Sequence, residues 1–114
     1  MSAIAARLAE LGIVLPNPVA PVANYVPFVR TGSLLVISGQ ISLGPDGLLT
    51  GKLGTDVSIE DGQKAARVCG LNVLAHIRSA VGNLDNVIRI VRLGGFINCT
   101  PDFLDAPKVM NGAS

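Results

Sequence analysis

The longest regular pattern of apolar and polar residues lies between residues 59 and 81. Its apolar positions recur every three or four residues, which is the spacing of one helix face: Ala66, Cys69, Val73, Ile77 and Ala80. Charged residues fall on the opposite face: Glu60, Lys64, Arg67 and Arg78. Ser58 before the pattern and Gly82 after it are typical of helix ends. The pattern predicts a helix over 59–81 that packs its apolar stripe on a sheet.

A shorter helical pattern covers residues 2–12. Ser2 is suited to cap this helix and Gly12 to end it. The prolines that follow exclude a helix or a central strand, because proline has a fixed φ and no N–H group: Pro16, Pro18 and Pro21. Residues 13–24 are therefore predicted as an extended lead-in.

Two apolar runs flank Thr31-Gly32 within residues 25–42 and predict a pair of strands. The second run contains Val36 and Ile37 and stops at Ser38-Gly39-Gln40. Residues 44–47 read Gly-Pro-Asp-Gly, and proline is preset for the second position of a β-turn. A turn is predicted there, with a brief third strand over 48–51.

The last part of the chain predicts a long strand over 86–98 and a second helix opening at Asp102. The Gly94-Gly95 pair indicates a bulge or a close backbone approach. Pro107 is tolerated only in the first turn of that helix. The element order predicts a single α+β domain over residues 1–114, with helices on one face of a sheet.

Composition adds an expectation of self-association. Of the 114 residues, 49% are apolar and only 15% are charged, and apolar surface on a small protein usually marks a contact with a partner. The net charge is +1, the basic residues are scattered and aromatic residues make up 4%. Nucleic-acid binding normally needs a basic stripe with stacking rings, so no nucleic-acid partner is expected.

The chain also gives no sign of a membrane, a metal or a secretion route. No apolar run reaches the ~18 residues of a membrane span, and no signal peptide is visible at the N-terminus. The two cysteines, without a secretion signal, predict reduced thiols and a cytoplasmic location. His76 is the only histidine and there is no Cys-x-x-Cys pair, so neither a metal nor another cofactor is expected.

Several short motifs occur in a fixed order. They are Ser38-Gly39-Gln40, Ala65-Ala66-Arg67-x-Cys69-x-Leu71-Asn72-x-Leu74, Leu84-Asp85-Asn86-Val87, Gly95-Phe96-Ile97-Asn98, Pro101-Asp102-Phe103 and Pro107-Lys108-Val109-Met110-Asn111-Gly112-Ala113. Together they resemble one subgroup of the Rid (YjgF) family, the reactive-intermediate deaminases once called endoribonuclease L-PSP. The resemblance implies a chorismate-mutase-like fold with a mixed sheet, a homotrimer, and ligand clefts between subunits.

The same resemblance implies a site for a small carboxylate ligand. Ser38, Gly39 and Gln40 would offer a hydroxyl, a backbone amide and a carboxamide, while Tyr25 and Asn111 match residues of the family's cleft. A structural alternative stays open for each of them. Ser38-Gly39-Gln40 could be a strand end that needs glycine, Tyr25 could be a half-buried core residue, and Asn111 could be a solvated or capping residue. No catalytic residue is assigned.

The function implied is hydrolysis of enamines and imines of the 2-aminoacrylate type to a keto acid and ammonia. A non-catalytic small-molecule-binding or interaction module of the same fold is the alternative, and an endoribonuclease is less favoured, since acid–base cleavage of RNA commonly uses two groups that titrate near neutral pH. The family also implies two C-terminal strands and an arginine that grips the carboxylate. None follows Ser114, so a C-terminally incomplete domain is expected, with deaminase activity weakened or absent.

Overall fold

The computed structural model describes residues 2–18 and 23–114. Its elements, in chain order, are the helix α1 (Ala3–Glu10), the strands β1 (Phe28–Thr31), β2 (Leu34–Ile37), β3 (Leu43–Gly44) and β4 (Gly47–Leu48), the helix α2 (Ile59–Val81), a 3₁₀ turn (Leu84–Asn86) and the helix α3 (Ala106–Met110). Part of the predicted lead-in, residues 19–22, lies outside the described residues; residues 13–18 have no regular structure.

The described residues form two compact units. The first unit contains the residues up to Gly39 together with Asn72–Ile90. The second unit contains Gln40–Leu71 and Val91–Ser114. The prediction of one domain over the whole chain stays a prediction.

In the first unit, α1 is held at its start by two side chains. The Ser2 hydroxyl oxygen accepts a hydrogen bond from the Ala5 amide at 2.9 Å, as predicted for a capping serine. The carboxylate of Asp85 accepts from the amides of Ala3 and Ile4 at 2.8 and 2.9 Å. These bonds satisfy amides that have no partner within the helix, so Asp85 ties α1 to a distant part of the chain.

The hairpin of β1 and β2 confirms the two predicted strands. Thr31 pairs with Leu34, so the turn consists of residues 32 and 33, and Gly32 has a φ of 57°, which favours glycine. Val29 pairs with Val36, and these two side chains are 55% and 53% exposed. One face of the hairpin is therefore apolar and open within the described chain.

Helix α2 has the predicted bounds. The Ser58 hydroxyl oxygen accepts from the Asp61 amide at 3.1 Å, and the Gly82 amide donates to the Arg78 carbonyl at 2.8 Å, with a Gly82 φ of 79°. The predicted charged face is largely exposed. The predicted apolar stripe is only partly right. Of its members only Ile77 is buried, and the others are half-buried. The most buried side chains of α2 lie beside the stripe: Asn72, Ala75 and His76.

In the second unit, the predicted turn at residues 44–47 connects β3 and β4, with Leu43 paired to Leu48. The strand predicted over 48–51 is shorter than expected, since β4 ends at Leu48. Leu53, which is 6% exposed, follows. Its amide donates to the Asn98 carbonyl at 3.0 Å, and its carbonyl accepts from the Thr100 amide at 2.9 Å. Leu53 therefore forms a single parallel bridge with Cys99.

The long strand predicted over 86–98 is wrong. A 3₁₀ turn occupies Leu84–Asn86, and no described residue between 88 and 97 makes a backbone hydrogen bond to another described residue. A strand is defined by its ladder with a neighbour. The apolar, β-branched residues favour a strand locally, but the described chain supplies a partner only at residues 98–100.

Helix α3 begins at Ala106, so the predicted start at Asp102 is also wrong. Pro107 lies in the first turn, as predicted, where its missing N–H has no helical partner to lose. That proline fixes the start of the helix close to itself, and Asp105 takes the position before the first turn.

Candidate functional site

The second unit contains an open groove of about 460 Å³. One wall is formed by Leu93, Gly95 and Ile97, and the other by α3 and the residues after it: Ala106, Pro107, Met110, Asn111 and Ser114. The lining residues are apolar except for Asn111 and Ser114. A groove of this kind offers apolar contact area with a few polar groups that orient a bound molecule.

The first wall is formed by every second residue of its segment. Leu93, Gly95 and Ile97 line the groove, whereas Phe96 between them is fully exposed. This alternation is that of an extended strand. A Cβ on Gly95 would collide with the sulfur of Met110. The close approach predicted for Gly94-Gly95 is thus confirmed at Gly95.

The second wall is held against the start of α2. The Gln63 carboxamide donates to the Lys108 carbonyl at 2.8 Å. A Cβ on Gly112 would collide with the main-chain carbonyl of Gln63, so the chain after α3 runs directly on the backbone of α2. Val109 is 3% exposed and lies near the position a Cβ would take on Gly62. Glycines at this contact let α3 and its C-terminal turn approach closely.

Asn111 is at the C-terminal end of α3 and is one of the residues that line the groove. Its amide donates to the Pro107 carbonyl at 3.1 Å. The Ser114 hydroxyl lies 3.3 Å from the Met110 carbonyl and 3.5 Å from the Asn111 Oδ1. Asn111 is thus both a helix-end residue, as the structural alternative proposed, and a polar group at the groove. Its ligand contact stays a prediction.

The predicted site residues of the first unit lie around the end of β2. The Ser38 amide donates to the Pro27 carbonyl at 2.9 Å, and the Ser38 hydroxyl donates to the Val26 carbonyl, beside Tyr25. The hydroxyl proton is therefore used by the main chain. A Cβ on Gly39 would meet no atom within 4 Å, and Tyr25 is 43% exposed. The strand end is open next to the tyrosine.

Gln40 is half-buried at the start of the second unit. The structure thus places Tyr25, Ser38 and Gly39 in one unit, and Gln40 and Asn111 in the other. That these five residues share one ligand cleft stays a prediction.

Neither the Cys69 thiol nor the His76 imidazole is presented as a nucleophile. Burial raises the pKa of the Cys69 thiol, which keeps it protonated and unreactive. His76 is only 3% exposed and its Nε2 has no hydrogen-bond partner among the described residues. Within the described ranges no cluster of three or more His, Cys, Asp or Glu side chains is placed to hold a metal ion.

The loop Gly51-Lys52-Leu53-Gly54 has a weak resemblance to a phosphate-binding loop. In the structure, however, the carboxylate of Asp56 occupies its backbone amide. The Lys52 amide donates to the Asp56 Oδ1 at 2.7 Å, and the Thr55 hydroxyl lies 3.2 Å from the same oxygen. The Lys52 amide, followed by the Thr55 hydroxyl, lowers the pKa of Asp56. An anion at this amide would have to displace the carboxylate.

The sequence pattern did not identify the groove walls as such. The signal was present in the alternation of Leu93, Gly95 and Ile97, but the opposite wall depends on the contact of α3 with α2, which no local pattern reveals. Among the described residues no helix is both long and apolar enough to cross a membrane.

Comparison with known proteins gives consistent matches along almost the whole chain. A family model described as "YjgF/chorismate mutase-like, putative endoribonuclease" matches residues 5–114. Protein TCP17 of Trypanosoma cruzi is 44% identical over 112 residues, which are 97% of this chain and 70% of TCP17.

Two crystal structures are also similar. A protein of Shewanella oneidensis MR-1, described as a putative endoribonuclease, has a TM-score of 0.91 and 35% identity, over 96% of this chain and 73% of that chain. The protein Atu1372 of Agrobacterium tumefaciens, described as of unknown function, has a TM-score of 0.83 and 40% identity, over 95% and 67% of the two chains. These matches confirm the predicted fold: the chain belongs to the YjgF/chorismate mutase-like family.

Proposed function

We propose that this protein binds a small carboxylate and hydrolyses enamines and imines of the 2-aminoacrylate type. The observation that carries the proposal is the open end of β2 in a chain of this family, where a Cβ added to Gly39 would meet no atom within 4 Å. Ser38 is held there by hydrogen bonds to the carbonyls of Val26 and Pro27, just before β1. A backbone amide in such a place is a ready donor to a carboxylate oxygen.

The chemistry asks little of the protein. 2-Aminoacrylate tautomerises to 2-iminopropanoate, water adds to the C=N carbon, and the resulting carbinolamine loses ammonia to leave pyruvate. The imine is already reactive, so the contribution of the site is to orient the carboxylate and the attacking water. The raised pKa of the Cys69 thiol and the burial of His76 are compatible with this role.

The name endoribonuclease, which is used for the family and for the Shewanella protein, suggests a second activity. Cleavage of RNA without a metal commonly uses two groups that titrate near neutral pH. The single histidine, His76, is buried, and the four arginine and lysine residues on α2 and α3 are distributed over separate turns: Lys64, Arg67, Arg78 and Lys108. We therefore favour the deaminase over the ribonuclease.

The proposal is tested with Gly39→Ala in an assay of keto-acid release from freshly generated 2-aminoacrylate. The φ of Gly39 is not in the left-handed region and an added methyl meets no atom, so the fold should be unaffected. The methyl would enter the space assigned to the ligand. We expect at least about a tenfold loss of the rate above background, which corresponds to about 1.4 kcal/mol.

Gly94→Ala is the matched control, because its φ is also ordinary and its added methyl would only touch the Arg92 side chain at 3.5 Å. A wild-type rate no higher than background would refute the deaminase. Pyruvate binding by NMR titration, lost in Gly39→Ala, would in that case support the binding module. Equal rates and equal pyruvate affinities in both variants would remove the β2 end from the site.

We also propose that the protein is a homotrimer, in which the apolar face of the β1–β2 hairpin is covered by neighbouring subunits. Val29, Leu34 and Val36 on this hairpin are each exposed by 44% or more, and such a surface on a soluble protein is usually a contact. Sedimentation equilibrium should give a mass of three chains or a multiple of three, and Val36→Asp should abolish the three-fold state. A folded wild-type monomer at micromolar concentration contradicts the trimer.

A further inference from the structure

Asn111 and Gly112 form the only Asn-Gly pair in the sequence. Asparagine is a chemically labile residue, and it is most labile before glycine, which has no side chain to obstruct the reaction of its own nitrogen with the neighbouring carboxamide. Every other asparagine of the sequence is followed by a larger residue. The sequence therefore makes Asn111 the asparagine that is most prone to lose ammonia.

The packing of α3 on α2 requires this glycine. A Cβ on Gly112 would collide with the main-chain oxygen of Gln63 and lie 2.7 Å from its carbonyl carbon. No side chain fits at position 112 while the chain after α3 rests on the backbone of α2. The labile pair is thus a consequence of that close approach.

The same contact holds the pair in an unreactive conformation. Asn111 is helical, with a φ of −60° and a ψ of −19°, and the Gly112 amide donates to the Val109 carbonyl at 3.1 Å. Deamidation begins by joining the Gly112 nitrogen to Cγ of Asn111 in a five-membered ring. The nitrogen must first rotate about the Asn111 Cα–C bond until it eclipses Cβ. That rotation leaves the helical region and breaks the hydrogen bond to Val109.

We propose that Asn111 is a site of spontaneous deamidation whose rate is limited by the local opening of α3 from α2. In the open state the Gly112 nitrogen loses its proton to hydroxide and attacks Cγ of Asn111. The new bond replaces the bond from Cγ to the side-chain nitrogen, which takes up a proton and leaves as ammonia.

Water then opens the cyclic imide at one of two bonds. Attack at Cγ breaks the bond from Cγ to the Gly112 nitrogen and gives aspartate. Attack at the main-chain carbonyl carbon of residue 111 breaks the original peptide bond and gives isoaspartate. Either product exchanges a neutral carboxamide for a carboxylate and lowers the net charge, which is +1 in the unmodified sequence.

The opening step must break the contact between α3 and α2. Val109 is 3% exposed and lies near the position a Cβ would take on Gly62, and the Gln63 carboxamide donates to the Lys108 carbonyl at 2.8 Å. Parts of a protein open locally with their own free energies, which are often well below that of global unfolding. The rate of deamidation is therefore the rate of cyclisation in the open state multiplied by the fraction of molecules that are open.

The isoaspartyl product makes the opening permanent. Its main chain runs through the former side chain and contains one additional methylene group before the Gly112 nitrogen. Because even a methyl group on Gly112 has no space against Gln63, the lengthened chain does not return to its former place. The aspartyl product adds the same charge but leaves the length of the main chain unchanged.

Mass spectrometry of tryptic peptides measures the reaction at Asn111. Val109→Ala loosens α3 without altering the Asn-Gly pair and should speed deamidation at least about tenfold. Leu84→Ala is the matched control, because Leu84 is 6% exposed but belongs to the first unit. It should leave the rate at Asn111 unchanged, and equal acceleration by both variants would overturn local opening in favour of global unfolding.

The chain unfolded in urea gives the rate without protection, and the folded wild type should be at least about tenfold slower. Equal rates in the two states would overturn the proposal, as would an unfolded chain in which Asn111 reacts no faster than Asn83. If Val109→Ala does not fold, the wild type in dilute urea replaces it. Deamidation of Asn111 and hydrogen exchange of residues 106–114 should then rise together, and deamidation that stays constant while exchange rises contradicts the proposal.

Hydrogen exchange also separates the two products. The isoaspartyl form, purified by ion exchange after prolonged incubation, should lose the protection of residues 106–114. Asn111→Asp has the same charge without the additional methylene group and should keep most of that protection. Equal protection in the isoaspartyl form and in Asn111→Asp would contradict the permanent opening.

Discussion

Replacing Gly112 with alanine is expected to destabilise the protein by about 1–3 kcal/mol, the usual cost of forcing extra volume into a packed region. A Cβ at this position would overlap the carbonyl group of Gln63 and lie 2.7 Å from its Cα and C atoms. These are main-chain atoms inside α2, which cannot rotate away as a side chain could. The added methyl must therefore push the end of α3 off the helix.

The measurement is thermal unfolding, combined with hydrogen exchange of residues 106–114. Each kcal/mol corresponds to a shift in Tm of about 4–8 °C for a protein near this size. Gly70→Ala is the matched control, because its Cβ would lie 3.5 Å from Ala113, an ordinary contact. Alanine in a helix is better by up to about 1 kcal/mol than glycine, so this control should be as stable as the wild type or more so. Equal stability of both variants would show that the end of α3 does not lie on α2.

The helices α1 and α2 could be predicted closely because their signals are local. Ser2 and Ser58 each cap a helix through their own hydroxyl groups, and Gly82 follows the last turn of α2 in a left-handed conformation. Capping bonds and helical spacing involve residues within about one turn of each other. A sequence pattern contains all of this information, so the bounds of α2 agree to the residue.

The lack of a backbone ladder over residues 88–97 could not be predicted, because a ladder depends on a distant neighbour. The residues from Asn86 to Asn98 have the composition of a strand, but a ladder needs a second backbone. Within the described chain only Leu53 provides one, and it does so beyond Ile97. Local preference was correct about the alternation of side chains and wrong about the hydrogen bonds.

The candidate site was predicted in part. The end of β2 was identified from Ser38-Gly39-Gln40, and the structure adds that the Ser38 hydroxyl serves the main chain. Asn111 was identified from the family resemblance, and its place in a groove wall follows from the packing of α3 on α2. The groove joins residues far apart in sequence, which no spacing rule brings together.

Replacing Ile77 with alanine is expected to destabilise the protein by about 2–4 kcal/mol, which is within the range for a buried isoleucine. The expectation follows from the face that α2 buries. Ile77 is 6% exposed and its truncation leaves a cavity. Val73 belongs to the same predicted stripe but is only half-buried. Val73→Ala should therefore cost less than Ile77→Ala, since it removes a smaller group from a side chain that keeps part of its surface in contact with water.

Urea unfolding of the two variants separates the predicted apolar stripe from the burial that the structure describes. A fall in the denaturation midpoint with an unchanged slope reports a change in stability alone. If α2 rested on the centre of its apolar stripe, Val73→Ala would be at least as costly as the usual loss of two buried methyl groups, and the difference from Ile77→Ala would be small. A large difference places the centre of the buried face nearer to Asn72 and His76, which are 2% and 3% exposed. Polar residues can lie at the centre of a buried helix face, and counting apolar residues alone then places that centre one side chain away from its true position.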